Sequence, residues 1–269
     1  MKEFTVEKDC DLKTFTDERY AQGSFYFRLL LKKKDIRVNG AKTGVNLPLK
    51  KGDTVAYYLP KEKEEKPAFY TVYEDERVLV VDKESGVNAE AVYSALASSG
   101  ARFIHRLDRN TCGLMIFAKT DEAERELLNA FRTGAVEKIY HAKLLGEVPE
   151  KKRVLIAYFK KAAEHSLVKI YDEPRVGAER IVTEYEVLSC ADGHTMVAIT
   201  LHTGKTHQIR AHMAHIGFPV LGDGKYGDKA ENERLGLSRQ RLVAKRLRID
   251  VGGSLGYLKE KTFESRFEV

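Results

Sequence analysis

Apolar residues recur along this chain at two spacings, one near 3.6 residues and one of two, and each change of spacing marks the edge of an element. In SFYFRLLLKKK, Phe27, Leu30 and Leu31 fall on one side of a helix that Ser24 can cap. IRVNG reads as a strand entering an Asn39-Gly40 turn. KKGDTVAYYL at 50–59 follows the Gly52-Asp53 turn and reads as the closing strand. KEKEEKP at 61–67 has no apolar side chain to bury and reads as a linker. A small unit is therefore expected over 1–60, a linker over 61–68 and a larger unit over 69–269.

The larger unit opens with VYEDERVLVVDKESG, in which Val78 to Val81 are apolar throughout, as in a strand buried on both faces. A short helix over 88–99 delivers the chain to His105, and LMIFAKT at 114–120 reads as the next strand. Thr120 caps a helix whose first turn holds Asp121 and Glu122 and which Gly134 ends, with Ala123, Leu127, Leu128 and Phe131 as its apolar face. KIYHAKLLGEV and RIVTEYEVL follow, and then TMVAITLHTG beyond an Asp192-Gly193 turn; all three alternate as antiparallel strands do. SRQRLVAKRLRID at 238–250 fits a strand with one basic face or a short helix. The expected class is α+β, with a mixed, mainly antiparallel sheet and flanking helices.

Composition adds a core and a partner class. An apolar content of 43% over 269 residues is enough to bury a sizeable core. The net charge is +6, and it is unevenly placed: residues 1–60 carry net +4 and 201–269 net +5. Positive charge gathered at two places suits a polyanion, nucleic acid above all, although a basic solvated surface would look the same. Cys10, Cys112 and Cys190 lie far apart and form no metal-spaced pair or disulfide framework, as expected in a reducing cytoplasm. No apolar run approaches the ~18 residues that cross a bilayer, so a cytoplasmic protein without membrane contact is expected.

Two runs carry the candidate chemistry. HRLDRNTCGL at 105–114 sets Asp108 between Arg106 and Arg109, which would hold the carboxylate ionised for a nucleophile, a base or an ordinary ion pair. TGKTHQIRAH at 203–212 supplies Lys205, His207, Arg210 and His212. With His202 and His215 these histidines could suggest a metal site, but no Cys, Asp or Glu completes the set within the run, so no metal is expected. Gly222, Asp223, Tyr226 and Gly227 read as a turn closing the site.

On HRLDRNTCGLMIFAKT, EKIYHA at 137–142 and LHTGKTHQIRAHMAHIGFPVLGDGKYGD at 201–228, residues 69–250 resemble the catalytic domain of the RluA-type pseudouridine synthases. LLLKKKDIRVNGAKTGVNLPLKKGDTV resembles the S4-like RNA-binding domain. The resemblance implies isomerisation of uridine to pseudouridine in rRNA or tRNA by a monomer, without cofactor. It implies Asp108 as the catalytic carboxylate, Tyr140 as the ring against the uracil, and Arg210 as the partner of Asp108. The target uridine must leave its stack, and Arg106 is implied as the side chain that fills the gap. Arg109, Lys205, His207, Lys32, Lys33, Lys34, Arg37, Arg241 and Arg246 complete the expected RNA contacts. The chain departs from the family pattern at Cys112 (usually Ser), Lys205 (usually Arg), Val243 (commonly His) and after Lys83, where a Pro is usual. These departures motivate an alternative, a non-catalytic RNA-binding protein on the same scaffold.

Overall fold

A computed structural model describes residues 1–19, 27, 30–58, 69–96, 99–161, 167–259 and 261–269. The expected linker, the boundary at Pro60 and the start of the helix from Ser24 lie outside the described residues, whereas Leu30 to Lys33 are helical as expected.

The first unit contains Lys2–Thr5 (β1), Cys10–Asp11 (β2), Leu12–Arg19 (α1), Ile36–Val38 (β3), Ala41–Thr43 (β4), Pro48–Leu49 (β5) and Thr54–Tyr57 (β6). Four of the strands form an antiparallel sheet in the order β1-β6-β3-β4. Helix α1 is weakly patterned in sequence but firmly started. Thr14 N–H donates to Asp11 Oδ1 at 3.0 Å and Thr14 Oγ1 to Oδ2 at 2.6 Å, which draws the Asp11 pKa down to about 2. Leu12, Phe15, Phe27, Leu30, Ile36, Val55 and Tyr57 make a core belonging to this unit alone.

The second unit is built on one large sheet. Its elements are Phe69–Glu74 (β7), Val78–Lys83 (β8), Ala89–Ala95 (α2), Arg102–Phe103 (β9), Cys112–Ala118 (β10), Asp121–Thr133 (α3), Val136–Leu145 (β11) and Lys152–Lys161 (β12). They continue with Val168–Tyr171 (β13), Glu179–Ala191 (β14), His194–Leu201 (β15), Gln208–His215 (α4), Lys229–Arg234 (α5), Leu242–Ile249 (β16) and Thr262–Glu264 (β17). The strand order is β13-β12-β14-β15-β11-β16-β10-β8-β7, with β17 on β16 and β9 on β10. Among the described strands only β10 and β16 pair in parallel.

The apolar run in β8 is buried at every position because the sheet is covered on both sides. Leu79 and Val81 join Met115 and Phe117 in one core, while Val78 and Val80 join Leu114 and Ile116 in the other. Helix α3 begins where expected, with Thr120 Oγ1 accepting from Ala123 N–H at 3.2 Å, and ends at Gly134 in the left-handed conformation. Leu128, expected on the apolar face, is instead 45% exposed; Ala123, Leu127 and Ala130 make the buried stripe.

The segment at 238–250 resolves to strand β16, inserted between β10 and β11 rather than lying at an edge or forming a helix. Leu242, Val243, Ala244, Leu247 and Ile249 are all buried. Gly113 allows the parallel crossing: a Cβ there would stand 2.3 Å from the Ala244 carbonyl oxygen, and its φ is 114°.

Candidate active site

The chain between β9 and β10 carries Asp108 across one end of the sheet, and a neighbouring turn clasps it. Gly86 N–H donates to Arg109 O at 2.9 Å, Arg109 Nε to Gly86 O at 3.0 Å and Ser85 Oγ to Asn110 O at 2.8 Å. Lys83, at the end of β8, is completely buried and donates to Val87 O (2.8 Å), Glu84 O (3.1 Å) and Arg109 O (3.3 Å). Burial pushes its pKa down to about 7, while three carbonyl acceptors match the three N–H bonds of its ammonium form. Lys83 thus ties the turn to the Asp108 loop from below.

From the other side α4 supplies Arg210, whose guanidinium is shared between two carboxylates. Nη1 donates to Asp108 Oδ2 at 2.8 Å; Nε and Nη2 donate to Asp223 Oδ2 and Oδ1 at 2.6 and 2.8 Å. The Asp223 side chain is wholly buried and also accepts from Lys225 N–H at 2.8 Å. Burial opposes charge on both groups, yet their bidentate pairing outweighs it, so the Arg210 pKa lies above its ordinary value and that of Asp223 below. Gly222 brings Asp223 in: a Cβ there would stand 2.0 Å from Arg239 O, and its φ is 73°.

His207 precedes α4 with a left-handed φ of 56°, a sparsely populated conformation for a residue with a Cβ. Its Nδ1 lies 2.9 Å from Tyr226 Oη, which accepts from Val168 N–H at 3.0 Å. The other ring nitrogen, His207 Nε2, lies 4.0 Å from Asp108 Oδ2. Burial lowers the His207 pKa, which keeps the ring neutral. Tyr140 on β11 is buried, and burial raises its pKa, so it stays a phenol.

Asp108, Tyr140, Arg210, Arg106, Lys205 and His207 all line one cleft of about 310 Å3. The flanking arginines do not neutralise Asp108, contrary to the sequence expectation: Arg106 pairs with Glu90 at 2.9 Å and Arg109 turns to Gly86 O, so the guanidinium that matters comes from Arg210, 102 residues away. Arg109, Arg241 and Arg246 lie outside the cleft. Arg241 borders a separate hollow of about 280 Å3, and Arg246 Nη2 pairs with Glu264 at 3.0 Å. In the first unit Lys32, Lys33 and Lys34 are exposed, and Arg37 lies over the Tyr58 ring at 5.2 Å.

The histidines disperse to different partners: His202 to Glu184, His212 to Thr183 and His215 to Asp172. No group of three or more His, Cys, Asp or Glu converges as metal ligands would among the described residues. Two of the departures also lie apart from the cleft. Cys112 faces Leu242 O at 3.8 Å beside its strand neighbour Val243, and burial pushes its thiol up to about 11. Lys205 lines the cleft and forms an ion pair with Glu179.

Sequence reasoning placed Asp223 only in a turn and gave Lys83 no role. The acidic residue inside LGDGKYGD was the available signal for the first, and a lysine closing an all-apolar strand for the second.

The family model for RNA pseudouridylate synthase matches residues 64–215, more than half of the chain. The chain belongs to the RNA pseudouridylate synthase family. Within it, the chain is 33% identical over 174 residues to ribosomal large subunit pseudouridine synthase D of Pseudomonas aeruginosa, covering 59% of this chain and 53% of that protein. It is 32% identical to an uncharacterized RNA pseudouridine synthase of Aquifex aeolicus over 86% of this chain and 81% of that one. The solved structure of human RNA pseudouridylate synthase domain containing 1 superposes with a TM-score of 0.60 at 28% identity, covering 68% of this chain and 79% of the other. These are RluA-type relatives, and the mainly antiparallel α+β sheet of this synthase matches that of the solved human structure. No helix among the described residues is long and apolar enough to cross a membrane.

Proposed function

We propose that this protein converts specific uridines of structured RNA to pseudouridine, with Asp108 acting on a nucleotide extruded into the cleft. The observation that carries this reading is the Asp108–Arg210 pair, braced from behind by buried Asp223, in the lining of a nucleotide-sized cleft that also holds the Tyr140 ring. The reaction breaks the N1 glycosidic bond, turns the uracil and joins C5 to the sugar; N1 gains a proton and C5 loses one, so no external reactant is needed.

Asp108 can serve as nucleophile at sugar or base or as general base at the ribose, and both roles need an anionic carboxylate with an open edge. Arg210 supports the anion, and at 20% side-chain exposure Asp108 still reaches the cleft. Tyr140 offers a neutral ring for the uracil face and a hydroxyl for proton exchange near C5. His207 Nε2 faces the same carboxylate oxygen from 4.0 Å.

Arg106 suits the role of filling the vacated stack. Its pair with Glu90 is exposed on both sides, and such pairs are worth about 0–1 kcal/mol, so RNA can displace it cheaply. We further assign 1–60 as an S4-like RNA-binding domain, 61–68 as its linker and 69–269 as the catalytic domain, in a monomer acting in the cytoplasm. Lys32, Lys33, Lys34 and Arg37 give the first unit its phosphate contacts, with Arg109, Arg241 and Arg246 as outlying contacts on the second. Ribosomal RNA is the first substrate to examine, given the relative's name. Pseudouridine sequencing of RNA from cells lacking this protein tests the reading: one or more uridines lose their modification and regain it with the wild-type gene. An unchanged pseudouridine map overturns it.

A further inference from the structure

The cleft has a second wall that the proposed chemistry leaves unused, formed by His105, Phe131 and Lys138. His105 Nε2 accepts from Ile116 N–H at 3.1 Å, and the ring stacks on Phe131 with centroids 4.5 Å apart. Lys138 Nζ stands 5.5 Å from the centre of the same Phe131 ring. Lys138 and Tyr140 are two residues apart on β11 and line the same cleft, so they project from one face of the sheet.

The other cations of the cleft are already engaged: Arg210 by Asp108 and Asp223, Lys205 by Glu179 and Arg106 by Glu90. Among the described residues no carboxylate or carbonyl takes the Lys138 ammonium, and burial alone lowers its pKa. A half-buried ammonium without a counter-charge is unfavourable until an anion arrives. An RNA substrate brings such an anion on every ribose. Two residues along a strand span roughly 7 Å, comparable to the reach from a nucleotide's base to its own phosphate.

We propose that Lys138 is the docking point for a phosphate carried by the ribose of the nucleotide whose base lies against Tyr140. The identity of that nucleotide as uridine rests on the proposed function; the phosphate site rests on the wall itself.

The test is titration of the full chain with uridine, uridine 5′-monophosphate and uridine 3′-monophosphate at fixed ionic strength, for wild type, Lys138→Met and Lys138→Arg. One monophosphate is expected to bind wild type about tenfold more tightly than uridine, or about 1.4 kcal/mol, and which one it is tells the 5′ side from the 3′ side. Lys138→Met should erase that preference and Lys138→Arg should keep it, which controls for a misfolded variant. Equal binding of all three ligands by wild type, or a preference that survives in Lys138→Met, overturns the assignment. Because the titration involves no turnover, failure to find pseudouridine in RNA would remove the proposed function without touching this result.

Discussion

The two walls of the cleft handle charge in opposite ways. On the α4 side Asp108, Arg210 and Asp223 satisfy one another before any substrate arrives: three hydrogen bonds run from Arg210 to the two carboxylates, and Lys225 and Tyr226 N–H donate to Asp223 Oδ1. On the α3 side Lys138 sits over Phe131 with no counter-charge among the described residues, and His105 is held as a neutral ring. A satisfied array is preorganised machinery, whereas an unsatisfied cation is a place prepared for a ligand.

Removing the guanidinium breaks the satisfied wall and should have the largest effect. Arg210→Ala leaves a buried Asp223 and a neighbouring Asp108 without a cation, so denaturant unfolding should show a loss of about 3–5 kcal/mol. Arg210→Lys should restore part of the stability but little turnover, since one ammonium cannot fork to two carboxylates. Rates near wild type for Arg210→Lys would mean that the shared fork is unimportant.

Acid titration sharpens the contrast from the other wall. Burial lowers the His105 pKa to about 3, against an unfolded value near 6.5, so between those values the unfolded chain binds the proton and the folded chain does not. Stability should therefore fall as pH falls through that window, by about 1.6 kcal/mol for this group from pH 6.5 to 5. His212, lowered by burial to about 4, adds to the slope. Urea midpoints in wild type and His105→Leu would check this, and a wild-type midpoint that stays flat from pH 6.5 to 5 would contradict it.

Cys112→Ser provides the smallest expected effect. The side chain lies off both walls, so turnover should change by less than about twofold and stability by about 0.5 kcal/mol or less. With its thiol pushed up to about 11, Cys112 should also alkylate far more slowly at neutral pH than exposed Cys190.

Much of this contrast was legible in sequence, and the gaps have physical causes. Thr120 and Gly134 bracket α3, and Val78 to Val81 announce a buried strand, because capping and apolar runs are local signals. Asp108, Tyr140 and Arg210 were reached through family motifs, and the structure brings their side chains to one cleft. Pairing was legible only through the motif: adjacency in HRLDRN suggested Arg106 and Arg109 beside Asp108, the resemblance implied Arg210, and nothing in the sequence showed that Arg210 is itself braced by Asp223. Strand β12 escaped because its outward Val154 and Ile156, each 51% exposed, are apolar too and blur the alternation. Lys138 had no local signal, since a lysine gains meaning there only once Phe131 lies beneath it.

The central claim is that Asp108, held by Arg210, carries out the isomerisation. Its most direct measurement is primer-extension mapping of pseudouridine in RNA from cells lacking this protein, after incubation with purified wild type or Asp108→Asn. Wild type should create defined pseudouridines, while Asp108→Asn, which keeps the side chain's shape and should still bind RNA, should slow their formation by at least about a thousandfold. Equal formation by both proteins would contradict the account.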